Sequence, residues 1–218
     1  MLTILAAGLI TGLISLGTSI ALFNRFRKER LNGTLILALY VLFYALANFL
    51  WVTEDSFLVG NFQIATLAYI FECIPAYLGV VFSVVMVKLR EKIIIPTASA
   101  IIGAAIISFV LFPLKYEIVG AGYVYQPALI TKGILVVVAV MALTPVVVFL
   151  IYSKEMKKLG NLKERNKGIT LATGFLLMIL GENVLLTLLK VPLLLPLIIS
   201  LAGIVILYCG LTAGKKMG

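Results

Sequence analysis

Five side chains that are costly to bury in hydrocarbon fall inside long apolar stretches of this 218-residue chain: Asn48, Glu72, Lys132, Glu182 and Asn183. A charged or amide group at membrane depth marks a binding or proton-handling site by default. Glu72 lies about ten residues into the stretch Phe62–Val87, close to its middle. Ionising a carboxyl there is expensive, and a protonated one can donate to a ligand or release its proton. Spacing tells which way these groups face. Tyr40, Tyr44, Asn48 and Trp51 stand four, four and three apart and share one helix face. Ala65, Tyr69, Glu72, Ala76, Gly79 and Ser83 alternate four and three apart. Theirs is a small-and-polar stripe on a bulky helix, and it should face the interior of a bundle. Pro75 follows Glu72 by three residues, freeing the Phe71 carbonyl and favouring a kink. The expectation is a polar pocket for a small-molecule ligand. Glu72, Glu182, Asn183, Asn48 and Lys132 would supply its polar groups, Lys132 as counter-ion, and Tyr69, Tyr44 and Trp51 its walls. A plainer reading stands beside it. Asn48 and Asn183 would then be interhelical hydrogen-bond glue, worth roughly 0.6 kcal/mol each. Lys132 and Glu182 would snorkel to an interface.

Much chemistry is excluded. There is no His, which removes His-based acid–base catalysis, Ser-His triads and the usual His metal sites. Cys73 and Cys209 form no CxxC motif and read as two small buried hydrophobes rather than a disulfide. No Gly-rich phosphate loop is present, and no enzyme activity is expected. No cofactor is expected either. Retinal would need a Lys within the last apolar stretch, Pro192–Thr212, which has none; Lys132 and Lys190 lie elsewhere.

The elements that must position these groups are membrane spans. The chain is 62% hydrophobic and 12% charged, too apolar for a soluble domain of this size. A span needs roughly 20 apolar residues. Seven stretches qualify: Leu2–Phe23, Gly33–Thr53, Phe62–Val87, Ile93–Phe112, Ala128–Tyr152, Gly168–Leu189 and Pro192–Thr212. Fifteen of the eighteen Lys and Arg fall in four runs between or after them: Arg25–Arg30, Lys88–Lys92, Lys154–Lys167 and Lys215–Lys216. Basic runs stay on the cytoplasmic side. The expected fold is therefore an all-α integral membrane bundle of seven transmembrane helices. It forms a single domain over residues 1–218, with the N-terminus outside and the C-terminus inside. The expected location is the plasma membrane of a prokaryote, multi-pass. The net charge of +9 sits in the inferred inner loops and points to anionic membrane lipids, not to nucleic acid. Gly120, Gly122 and the alternating Tyr123 and Tyr125 permit a short β-hairpin in the loop Pro113–Pro127 without favouring one. Gly79, Gly103 and Gly181 sit inside spans, where small residues let helices approach closely. A parallel repeat is suggested by Gly33 and Asn48 in span two matching Gly168 and Asn183 in span six, at equal separations; chance explains so small a match better.

Two families share features with this pattern. Leu39–Asp55 is an aromatic-rich span with an acidic end, and Leu67–Glu91 carries Tyr69, Glu72, Pro75, Phe82, Lys88 and Arg90. Together they resemble the N-terminal seven-helix sensor region of archaeal and bacterial histidine kinases. No kinase follows, so the resemblance implies a sensor that signals through a separate partner or as a homo-oligomer. In topology the chain also resembles rhodopsins and the small SWEET-type sugar transporters. The Pro-Gln signature of the latter is absent, Thr144-Pro145 being the closest feature. The expected function is a non-enzymatic, receptor-like membrane sensor binding a small ligand in the outer half of the bundle. The alternatives are a small-solute transporter, proton-coupled through Glu72 and Glu182, and a structural subunit of a larger membrane complex.

Overall fold

The computed structural model describes residues 2–57, 61–88, 90–119, 122–181 and 194–212. It is a helical bundle with one β-hairpin. The helices are α1 (Leu2–Glu29), α2 (Asn32–Phe57), α3 (Phe62–Val87), α4 (Glu91–Leu111), α5 (Leu129–Ala142), α6 (Thr144–Lys158), α7 (Leu162–Ile179) and α8 (Leu194–Thr212). Among the described residues, six helical segments are long and apolar enough to cross a membrane. These are Leu5–Glu29, Asn32–Glu54, Phe62–Val87, Glu91–Leu111, Leu129–Lys158 and Leu195–Thr212. Packing agrees with a lipid solvent. Side chains buried to 1% exposure or less include Ala38, Ala45, Ala47, Ala65, Ala68, Ala76 and Ala105, whereas Leu13, Val110 and Val140 are 59%, 71% and 61% exposed. Small residues inside and large apolar ones outside are what close helix packing in hydrocarbon selects. The chain is a multi-pass helical membrane protein.

Neighbours along the chain pack most closely, in the pairs α1–α2, α2–α3, α6–α7 and α7–α8, and α1 also meets α8. Helix α3 is central, touching α2, α4, α5 and α6. Its start is fixed by Asn61, whose Oδ1 accepts from the backbone N–H groups of Gln63 and Ile64 at 3.1 and 3.3 Å. Its end is Lys88, in the left-handed region at φ 53°. Arg30 after α1 (φ 56°) and Gly160 after α6 (φ 72°) take the same conformation, so each basic turn carries a left-handed residue. Pro75 is accommodated inside α3 without ending it. Thr144 and Pro145 mark a break between α5 and α6, within the stretch expected as span five. Close approach is real at two of the three glycines singled out. A Cβ at Gly79 would meet Pro145 Cγ at 3.0 Å, and one at Gly181 would strike the Ser200 hydroxyl. Gly103 differs, because nothing lies within 4 Å of its missing Cβ.

The hairpin does form. Lys115–Val119 (β1) pairs antiparallel with Gly122–Gln126 (β2), Lys115 opposite Gln126 and Val119 opposite Gly122. The local pairing of the two segments outweighs irregular chain in a loop that no hydrocarbon constrains. The proposed repeat gains no support. Gly33 packs on Met86 and Phe82 of the following span, whereas Gly168 packs on Phe149, Tyr152 and Ser153 of the preceding one. The reading of both cysteines as buried is also corrected. Cys73 is buried, but Cys209 lies on an exposed face of α8.

Candidate functional site

The stripe read on α2 faces inward: Tyr40, Tyr44 and Asn48 are 5% exposed or less. So does the stripe on α3, where Ala65, Tyr69, Ala76, Gly79 and Ser83 are all buried. The two meet at Glu72. The Trp51 indole N–H donates to Glu72 Oε1 across the α2–α3 interface. Trp51 also meets Tyr69 edge-on, with ring centroids 5.0 Å apart, and Tyr69 stacks on Phe109 of α4 at 5.4 Å. Glu72 is half-buried. It opens on a small internal cavity lined by Tyr40, Tyr44, Glu72, Pro75, Ala76, Ala142, Met178 and Ile179, which has room of about 10 Å3, enough for one water. Four helices, α2, α3, α5 and α7, therefore share one polar void.

Aromatic layers bound the cavity on both sides. Tyr40 stands edge-on to Phe175 at 5.1 Å, Phe175 stacks on Phe149 at 5.7 Å, and Phe149 lies 5.5 Å from Phe82. The Trp51–Tyr69–Phe109 group closes the other side, towards the hairpin. Backbone irregularities gather at the same level: Pro75 in α3, the α5–α6 break just after Ala142, and a π-type turn at residues 180–181, just beyond Ile179. Such turns and breaks leave carbonyls outside the regular ladder and recur at functional positions.

The structure thus brings together Glu72, Trp51, Tyr69 and Tyr44. Asn48 is buried beside them and donates from Nδ2 to the Tyr44 carbonyl at 3.0 Å. Lys132 is half-buried on α5, does not line the Glu72 cavity, and makes no ion pair among the described residues. Glu182 and Asn183 lie outside the described residues. The wall contributed by α7 comes from Met178 and Ile179.

One acid escaped the sequence reading. Glu54 is completely buried. The span expected over Gly33–Thr53 stops one residue short of it, but α2 continues to Phe57. The signal was present: the step of three that leads from Asn48 to Trp51 leads again to Glu54, on the same face. Among the described residues no three His, Cys, Asp or Glu side chains gather as a metal site. The fold and site define a helical multi-pass membrane protein with an acid–aromatic pocket. Comparison with protein-family models, curated proteins and solved structures finds no match to the chain.

Proposed function

We propose that the chain is a seven-span, receptor-like sensor of the plasma membrane that responds to a small ligand or proton at Glu72 and signals through a separate partner. The observation that carries the reading is the placement of Glu72. It touches the sole tryptophan and a one-water cavity where four helices meet beside three backbone irregularities. A change in the protonation or ligation of that carboxyl alters contacts to several helices at once, which is what a switch requires. The resemblance of residues 39–55 and 67–91 to kinase sensor regions supports the same reading. In it the sixth span is the apolar stretch expected over Gly168–Leu189, and the basic runs Arg25–Arg30, Lys88–Lys92 and Lys154–Lys167 lie inside the cell.

A second reading is favoured by the helix breaks. Discontinuous helices around a mid-membrane carboxylate also suit a proton-coupled carrier. Proton flux separates the two. The chain is reconstituted in vesicles holding an impermeant pH dye, and a pH step is applied outside. The sensor reading expects the proton leak of empty vesicles. Flux well above that level, abolished in Glu72→Gln, would replace the sensor with the carrier.

Orientation has its own test. In a background with Cys73 and Cys209 replaced, Lys115→Cys in the hairpin is expected to react with an impermeant thiol reagent on intact cells. Leu159→Cys, 73% exposed at the α6–α7 turn, should react only after permeabilisation. The opposite pattern would invert the proposed topology.

A further inference from the structure

The turn between α3 and α4 holds a second candidate site, at the opposite end of the bundle from the hairpin. A surface groove of about 700 Å3 is lined by Val84, Val85, Lys88, Arg90, Glu91, Lys92 and Ile93. Its chemistry is divided. Val85 and Ile93 are 41% and 60% exposed and continue the apolar surface of α3 and α4. Lys88, Arg90 and Lys92 stand at the helix ends, all exposed, against the single acid Glu91.

Among the described residues, this turn differs from the other two basic runs in holding no internal ion pair. Arg25 pairs with Glu29 at 2.8 Å, Lys158 with Glu155 at 2.8 Å, and Lys167 with Glu164 at 3.8 Å. None of the three cations of the α3–α4 groove makes an ion pair among the described residues. No side chain caps the start of α4 at Arg90, so the first N–H groups of that helix add to the positive field. Helix α3 has 26 residues, about 39 Å at ~1.5 Å per residue, against a hydrocarbon core of ~30 Å. The groove therefore opens at the headgroup level whichever way the chain is inserted.

We propose that this groove binds one anionic phospholipid. Its phosphate sits among Lys88, Arg90 and Lys92, and its acyl chain runs along Val85 and Ile93 into the membrane. The occupant is a lipid rather than a soluble phosphate because the cations are continuous with an exposed apolar strip of the spanning helices.

Native mass spectrometry of the purified chain, titrated with phosphatidylglycerol or phosphatidylcholine, reads the number and affinity of bound lipids. One phosphatidylglycerol is expected to bind tighter than phosphatidylcholine. Each of Lys88→Gln, Arg90→Gln and Lys92→Gln should weaken it about fivefold, and the triple variant about a hundredfold. Lys88→Arg with Lys92→Arg should retain it, and Lys154→Gln with Lys157→Gln, on another basic run, should leave it unchanged. If the triple variant fails to fold, the single variants carry the result. Equal losses at both runs would reduce the effect to the general charge of that end and overturn the site. Displacement by glycerol phosphate at the same concentration as lipid, with Val85→Asn and Ile93→Asn without effect, would assign the groove to a soluble phosphate and overturn the lipid.

Discussion

Gly203→Leu is expected to prevent a stable, monodisperse bundle, whereas Gly103→Leu should fold like the parent chain. The two glycines look alike in sequence, each inside a long apolar helix. Their surroundings differ. A Cβ at Gly203 would lie 2.7 Å from Met178 N and 2.8 Å from Gly174 O, and one at Gly174 would lie 2.9 Å from Leu207 N and 3.0 Å from Gly203 O. Helices α7 and α8 therefore meet backbone to backbone at these residues. Neither side can yield by rotating a side chain. Overpacking a core usually costs about 1–3 kcal/mol through side-chain shifts. Here the helices themselves must separate, which also strips contacts from Met178 beside the Glu72 cavity, so the loss should reach or exceed the top of that range. Size-exclusion profiles and thermal unfolding in detergent measure it. A normal profile for Gly203→Leu would mean that α7 and α8 do not pack through this glycine pair.

The contrast between these glycines shows where sequence reasoning stops. Six of the seven span positions follow from apolar length, and the inward faces of α2 and α3 follow from polar and aromatic residues at helical spacing; both were legible. The α7 wall was not, because Phe175, Met178 and Ile179 are apolar residues on an apolar helix, and nothing in their type separates a cavity wall from a lipid-facing surface. Glu54 was missed for a different reason. Beside Asp55 it looks like the acidic start of a loop, and only the extra turn of α2 to Phe57 carries it inside. Gly79 and Gly103 could not be distinguished without knowing that Pro145 of α6 lies against the first. The hairpin depended on the pairing of two loop segments, for which Gly120, Gly122 and two tyrosines gave only permission.

Trp51 turns the candidate site into its own reporter. It is the only tryptophan in the chain, and its indole N–H is bonded to Glu72. Protonation of that carboxyl removes a negative charge beside the indole, so the emission of the protein should change reversibly with pH. In Glu72→Gln the amide oxygen still accepts the bond but no proton can be gained, and the emission should become flat with pH. Glu54→Gln tests the buried acid on Trp51's own face of α2; the pH response is expected to persist in it. Stability provides an independent check. Trp51→Phe leaves the half-buried Glu72 carboxyl without this donor, at a cost of about 1 kcal/mol, the lower end for a polar group that loses its partner. Glu72→Gln alone should cost less, because the bond to Trp51 survives. Glu72→Leu should match Trp51→Phe, and the double variant should cost less than the sum of the two. A wild-type emission indifferent to pH, or a pH response that survives Glu72→Gln and vanishes in Glu54→Gln, would move the switch away from Glu72. Strict additivity of the stability losses would mean that the indole and the carboxyl do not depend on each other, and the site would reduce to helix packing.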